Sequence, residues 1–196
     1  MFNFKNESLT RRRAVSGLFG IVLGGFALAS TLSAHAEAPK VGDKAPDFTL
    51  NDLKDKKVSL ASQLKKGKVV LVMLRGYPGY QCPLCTAQVN SFLGKAQGFT
   101  DAKAQVILVY PGISDGLKAH AEEFTSGKDI PANFHFLIDP DYTFTKRYDL
   151  RWDAPHETAY PATFVLNQKG KIVFEKISHS HGDRADVGDV LQALGK

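Results

Sequence analysis

The chain has little sulfur. Its 196 residues hold two cysteines and two methionines, and after the initiator methionine recurs only at Met73. So few cysteines cannot staple an exported miniprotein, which leaves the fold to its core and the cysteines to chemistry. They supply only half of the ligands a structural zinc site takes, and no second Cys-x-x-Cys or His-x3-His accompanies them. Copper is as poorly served, because soft-metal sites draw on methionine as well as thiolate. Internal repeats, low-complexity tracts and a second long apolar span are also missing. One domain with one hydrophobic core is the simplest organisation.

Positive charge is scarcer than the total suggests. The formal net charge is +5, of which Lys5, Arg11, Arg12 and Arg13 against Glu7 contribute +3, leaving +2 interspersed over the remainder. That balance gives no reason to expect a nucleic-acid partner. The N-terminal charges belong to a leader. Thr10-Arg11-Arg12-Arg13-Ala14-Val15 precedes an apolar, glycine-containing segment from Ala14 to Leu32, then Ala34-His35-Ala36, an Ala-x-Ala cleavage pattern. Paired arginines and a segment diluted by Gly17, Gly20, Gly24 and Gly25 favour twin-arginine export. The expectation is a signal peptide over residues 1–36 and a periplasmic or otherwise exported domain over 37–196, with no membrane contact after cleavage. The competing reading is an uncleaved anchor, for which the segment is just long enough.

What the chain does hold is concentrated. Both cysteines fall in Cys82-Pro83-Leu84-Cys85, after the apolar run Val69 to Leu74 and before a helix-like stretch. A strand emptying into Cys-x-x-Cys at a helix N-terminus aims the unpaired N–H groups and the positive end of the helix dipole at the leading thiol. A depressed thiol pKa and a dithiol that cycles are expected. A purely structural disulfide fits less well, because closing so short a loop removes little denatured-state entropy.

Around this unit the hydrophobic pattern predicts a short hairpin (Phe48 to Leu50, Val58 to Leu60) and a buried strand to Leu74. One helix is expected from Pro83 to Phe99, then a strand at Val106 to Tyr110 and a helix through Leu117, Ala121 and Phe124. A strand at Phe134 to Ile138 and a short helix near Tyr142 to Tyr148 follow. A hairpin of Thr163 to Leu166 with Ile172 to Ile177 and a closing helix through Val187 to Leu194 end the chain. This is an α/β chain with a central mixed sheet flanked by helices, and the cysteines lie at the carboxyl end of an inner strand, where such folds bind ligands.

Val41-Gly42-Asp43-Lys44-Ala45-Pro46-Asp47-Phe48-Thr49-Leu50, the Cys-Pro-x-Cys unit and Tyr160-Pro161-Ala162-Thr163-Phe164-Val165-Leu166 with Gly170 resemble the redoxin branch of the thioredoxin superfamily. This is the alkyl hydroperoxide reductase/thiol-specific antioxidant group. The stretch Arg75-Gly76-Tyr77-Pro78-Gly79-Tyr80-Gln81 before Cys82 is similar to that of peroxiredoxin-like proteins. The resemblance implies a thioredoxin-like fold with an N-terminal β-hairpin extension, and Pro161 as a cis-proline facing the cysteines. It also implies no cofactor, a thioredoxin-like protein as thiol electron donor, and a peroxide or a protein disulfide as substrate.

The resemblance assigns the cysteines in two ways. In the dithiol register Cys82 attacks and Cys85 resolves. In the peroxidase register, Pro-x-x-x-Thr/Ser-x-x-Cys falls on Pro78, Cys82 and Cys85, so Cys85 is peroxidatic and Cys82 replaces the hydroxyl residue. The arginine that the family places near the late strand is absent, its place being held by Tyr160-Pro161, and Arg75 is the candidate replacement charge. Trp152, Tyr148 and Tyr160 are candidate walls of the crevice, and Asp153, His156 and Glu157 candidate proton donors. Ser178-His179-Ser180-His181 reads as loop sequence rather than a metal tract. The expected function is an exported thiol oxidoreductase cycling through a Cys82–Cys85 disulfide. The alternatives are a disulfide reductase of the cell envelope and, from another class, a copper-binding chaperone.

Overall fold

The computed structural model describes residues 37–195. The expected leader lies outside the described residues. Among those described, no helix is long and apolar enough to cross a membrane.

The hairpin forms from β1 (Thr49–Asp52) and β2 (Lys57–Ser59), with Leu50 opposite Val58. Its turn is held by Asp52, whose Oδ1 accepts the N–H groups of Lys54 and Lys56. Helix α1 (Leu60–Leu64) follows at once. Periodicity did not anticipate it, because five residues are too few to display a helical repeat. The local signal is a cap: Ser59 Oγ accepts the Ser62 N–H at 3.2 Å.

Strand β3 (Lys68–Met73) is covered on both faces, which is why it reads as a continuous apolar run. Val70, Val72 and Leu74 enter one core and Val69, Leu71 and Met73 the other. Full burial of each such side chain is worth about 1.5–3 kcal/mol. Beyond the site loop come α2 (Pro83–Leu93), α3 (Ala96–Asp101), β4 (Ala104–Gly112), α4 (Leu117–Thr125) and β5 (Phe134–Pro140). The chain ends with α5 (Thr143–Arg147), β6 (Ala162–Leu166), β7 (Ile172–Ile177) and α6 (Val187–Ala193).

The helix expected from Pro83 to Phe99 is two helices. Gly94, a poor helix former, caps α2 through its N–H to the carbonyls of Asn90 and Phe92, and Lys95 leaves the helical region at φ −115°, ψ 17°. The break lets Phe99 turn inward and stack on Phe92 at 5.4 Å.

The strands form one seven-stranded sheet in the order β2-β1-β5-β4-β3-β6-β7. β3, β4 and β5 run parallel, while β6, β7, β1 and β2 each pair antiparallel with their neighbours. Residues of α2, α3, α4 and α6 bury one face, and those of α1 and α5 the other. Because β3 and β4 are parallel while β6 returns antiparallel, the carboxyl end of β3 meets the amino end of β6. The register sets Met73 opposite Ala162. The cysteine loop and Pro161 therefore occupy the same end of the sheet.

Candidate active site

The site begins where β3 ends. Gly76 turns the chain at φ +72°, and a Cβ there would stand 1.9 Å from the Pro111 carbonyl oxygen. Only glycine allows the loop to cross the end of β4 this closely. The loop delivers Cys82 as the N-cap of α2, with φ −74° and ψ 111°, and Pro83 follows as the first helical residue, where a missing N–H is harmless. Cys82 Sγ accepts the Cys85 N–H at 3.3 Å. One turn further in, Cys85 Sγ accepts the Arg75 N–H at 3.3 Å.

These placements separate the two thiols. Cys82 is pushed down to about 5, first by a hydrogen bond from the Cys85 thiol, then, against the opposing effect of burial, by the Cys85 N–H and the positive charges of Arg184 and Arg75. Cys85 is raised well above the ordinary thiol range, because it is the donor in that bond and because it is buried. Both side chains are covered: Cys82 is 3% and Cys85 0% exposed.

Arg75 is not a solvated strand-end arginine. Its side chain is 4% exposed and is held by Glu157 Oε2 at 2.7 Å, Tyr80 Oη at 2.6 Å and the His156 carbonyl at 2.8 Å. Thr158 Oγ1 donates to the Arg75 carbonyl. Arg75 thus meets Cys85 directly through its backbone N–H, while its side-chain charge already faces a carboxylate. Its guanidinium ties the segment before Pro161 to the end of β3.

Glu157 is committed to Arg75 and His181. Burial would raise its carboxyl, but hydrogen bonds from Arg75 and from His181, whose Nε2 lies 2.8 Å from Oε1, outweigh it and hold the carboxyl below its ordinary value. Asp153 is exposed beside Arg151 at 3.6 Å, and His156 is exposed at φ +62°. Pro161 is buried immediately before β6, and its carbonyl accepts the Ser178 N–H at 2.8 Å.

Of the three aromatics expected to wall the crevice, Tyr148 does not. It caps α5, stacks on Phe144 at 4.3 Å and donates its hydroxyl to the Pro46 carbonyl, inside the core on the other face of the sheet. Trp152 and Tyr160 do stack on each other, at 4.8 Å, and gather the histidine tract: His179 meets Tyr160 and His181 meets Trp152. No group of three or more His, Cys, Asp or Glu side chains among the described residues could hold a metal ion. A cleft of about 300 Å³ opens beside the loop, lined by Tyr77, Pro78, Leu117, His120, Glu157 and Thr158, with Tyr77 stacked on His120 at 3.5 Å.

Sequence reasoning missed Arg184 and Gln88. Arg184 lies in the segment between β7 and α6, and its Nη2 stands 3.8 Å from Cys82 Sγ and 3.6 Å from Cys85 Sγ. Gln88 Oε1 accepts its Nη1 at 2.7 Å, and the His181 carbonyl its Nε at 3.0 Å. The usable signal was Gln88, a polar residue on the buried face of α2.

A seven-stranded mixed sheet with Cys82 capping a helix and Cys85 in its first turn, at the end of an inner strand, is the arrangement of a thiol-dependent oxidoreductase of the thioredoxin superfamily. The pattern of the AhpC/TSA family matches residues 41–175. Peroxiredoxin Q, chloroplastic, of Arabidopsis thaliana is 31% identical over 170 residues, covering 87% of this chain and 70% of that protein. Thiol-disulfide oxidoreductase ResA of Bacillus subtilis is 26% identical over 149 residues, covering 76% and 74%. The crystal structure of peroxidoxin BcpB from Mycobacterium tuberculosis superposes with a TM-score of 0.63 at 23% identity, over 80% of this chain and 96% of that one. The chain belongs to the AhpC/TSA family and is a peroxiredoxin-like thiol peroxidase.

Proposed function

We propose that the protein reduces peroxides in an exported compartment through a cycle that always passes through a Cys82–Cys85 disulfide. The observation that carries this reading is the split between two thiols joined in one helix N-terminus: Cys82 pushed down to about 5, Cys85 raised, and no third cysteine in the chain. The Cys82 thiolate attacks one peroxide oxygen. An S–O bond forms, the O–O bond breaks, and the departing oxygen takes a proton to leave as water or an alcohol. The Cys85 thiol then attacks the sulfenic sulfur, releasing water and closing the disulfide. A thioredoxin-like dithiol restores both thiols by exchange. Attack starts at Cys82 because its thiolate persists at neutral pH, and the rate falls as pH drops through about 5.

A second reading is supported by the likeness to thiol-disulfide oxidoreductase ResA. There Cys82 attacks a protein disulfide, and Cys85 releases the mixed disulfide. Hydrogen peroxide consumption and insulin disulfide reduction, measured side by side on the domain from Glu37, separate the two. Peroxide turnover without insulin reduction supports the first reading, and the converse replaces it with the second. The export proposal rests on Ala34-His35-Ala36 and the arginines before it. N-terminal sequencing of protein from the exported fraction should begin at Glu37, and an intact Met1 in a membrane fraction would refute it.

A further inference from the structure

Two arginines stand near the dithiol, and they differ in what surrounds them. Arg75 faces a carboxylate at 2.7 Å, and its other guanidinium donors go to Tyr80 and the His156 carbonyl. Arg184 has the opposite arrangement. Among the described residues its polar partners are the Gln88 side chain, the His181 carbonyl and the two sulfurs, and no carboxylate lies within ion-pair distance. A half-buried guanidinium without a counter-ion is costly until an anion meets it. The groups within its reach that can become anions are the thiols. Gln88, buried and neutral, fixes the guanidinium without neutralising it, as a glutamate there would.

We infer that Arg184 is the catalytic cation of this dithiol. It stabilises the Cys82 thiolate and, as the S–O bond forms and the O–O bond of a peroxide breaks, the negative charge passing to the departing oxygen until a proton from solvent reaches it. The thiolate is oxidised by two electrons and the peroxide is reduced by the same two. The second part of this role rests on the peroxide reaction proposed above, whereas the first part does not. The cation arrives from the last third of the chain, on the segment between β7 and α6, whose Arg184 reaches both sulfurs at once. Other charged or titratable groups facing Cys82 are Cys85 on its own helix and Arg75 from the β3–α2 loop. Glu157 faces that arginine, His181 lies on the segment carrying Arg184, and the Tyr110 hydroxyl of β4 is occupied by Gln81.

The test titrates Cys82 by alkylation rate against pH in a Cys85→Ser background, with Arg184 intact, R184Q or R184K. The midpoint should rise by about one pH unit in R184Q and lie between the two in R184K, which keeps the charge without the planar fork. An unmoved midpoint in R184Q, or an R184K midpoint shifted as far as R184Q, overturns the inference. A second measurement needs no change at position 184. With Arg184 present, the rate ratio of anionic iodoacetate to neutral iodoacetamide should exceed that of glutathione several-fold, and a ratio equal to glutathione's also overturns it. Neither readout uses peroxide, so failure of the peroxidase reading leaves both outcomes decisive.

Discussion

Replacing Glu157 by glutamine removes the charge that faces Arg75 while keeping a side chain of nearly the same shape. Both partners are covered, at 4% exposure for the Arg75 side chain and 11% for Glu157, so the guanidinium would be left buried without its counter-ion. Breaking a buried pair from one side typically costs about 3–5 kcal/mol. Tyr80 and the His156 carbonyl remain as acceptors, and glutamine can still accept from Nε, which places the expected loss near the lower end, about 3 kcal/mol. For a domain of this size that lowers Tm by roughly 6–12 °C. The pH dependence has a definite sign. Glu157 is held below its unfolded value, so its contribution is complete above about pH 5 and is lost as pH falls through the folded-state value. Urea unfolding of the reduced protein should therefore show parent and Glu157→Gln well separated at pH 7 and converging under acid. A separation under about 0.5 kcal/mol at pH 7, or one that widens as pH falls, would refute the reasoning.

The thiol asymmetry predicts that Cys85→Ser leaves a Cys82 that alkylates rapidly at pH 7 and traps mixed disulfides, whereas Cys82→Ser leaves a buried Cys85 that alkylates far more slowly at the same pH. Rapid peroxide-dependent sulfenic-acid labelling of Cys85 in the Cys82→Ser protein would reverse the assignment. Gly76→Ala forces a left-handed alanine against a backbone oxygen and should destabilise by roughly 2–4 kcal/mol in chemical denaturation while slowing thiol alkylation; wild-type stability would show the turn to be adaptable. Purified reduced protein should carry no stoichiometric zinc or copper by elemental analysis, and one metal per chain, lost on Cys82→Ser, would move it to the binding-protein class.

The elements legible in the sequence were those whose signal is local. β3 and β4 announce themselves because both faces are buried, and the Asn167 to Gly170 turn fixes the last hairpin from its own residues, Asn167 Oδ1 accepting from Lys169 and Lys171. The break at Gly94 was hidden because Val89, Phe92 and Ala96 keep a helical spacing across it, and only the packing of Phe99 reveals the turn. The cysteines were equally legible as a helix cap. Arg184 was not, since nothing in His181-Gly182-Asp183-Arg184 marks one arginine out from another surface charge until the sheet brings that segment back over α2. Arg75 was visible as a cation at the right end of the sheet, but its burial against Glu157 depends on a segment 82 residues later.

The contacts between Arg184 and the cysteines span 102 and 99 residues of sequence. During synthesis both sulfurs therefore emerge long before the charge that meets them. A chain that has reached only β5 already holds both thiols and the α2 N-terminus, but neither Arg184 nor the β6–β7 hairpin that precedes it. The dithiol and the cation beside it are thus parted in the order of synthesis and joined only in the finished fold, so the site is complete only when the last third of the chain has closed over α2.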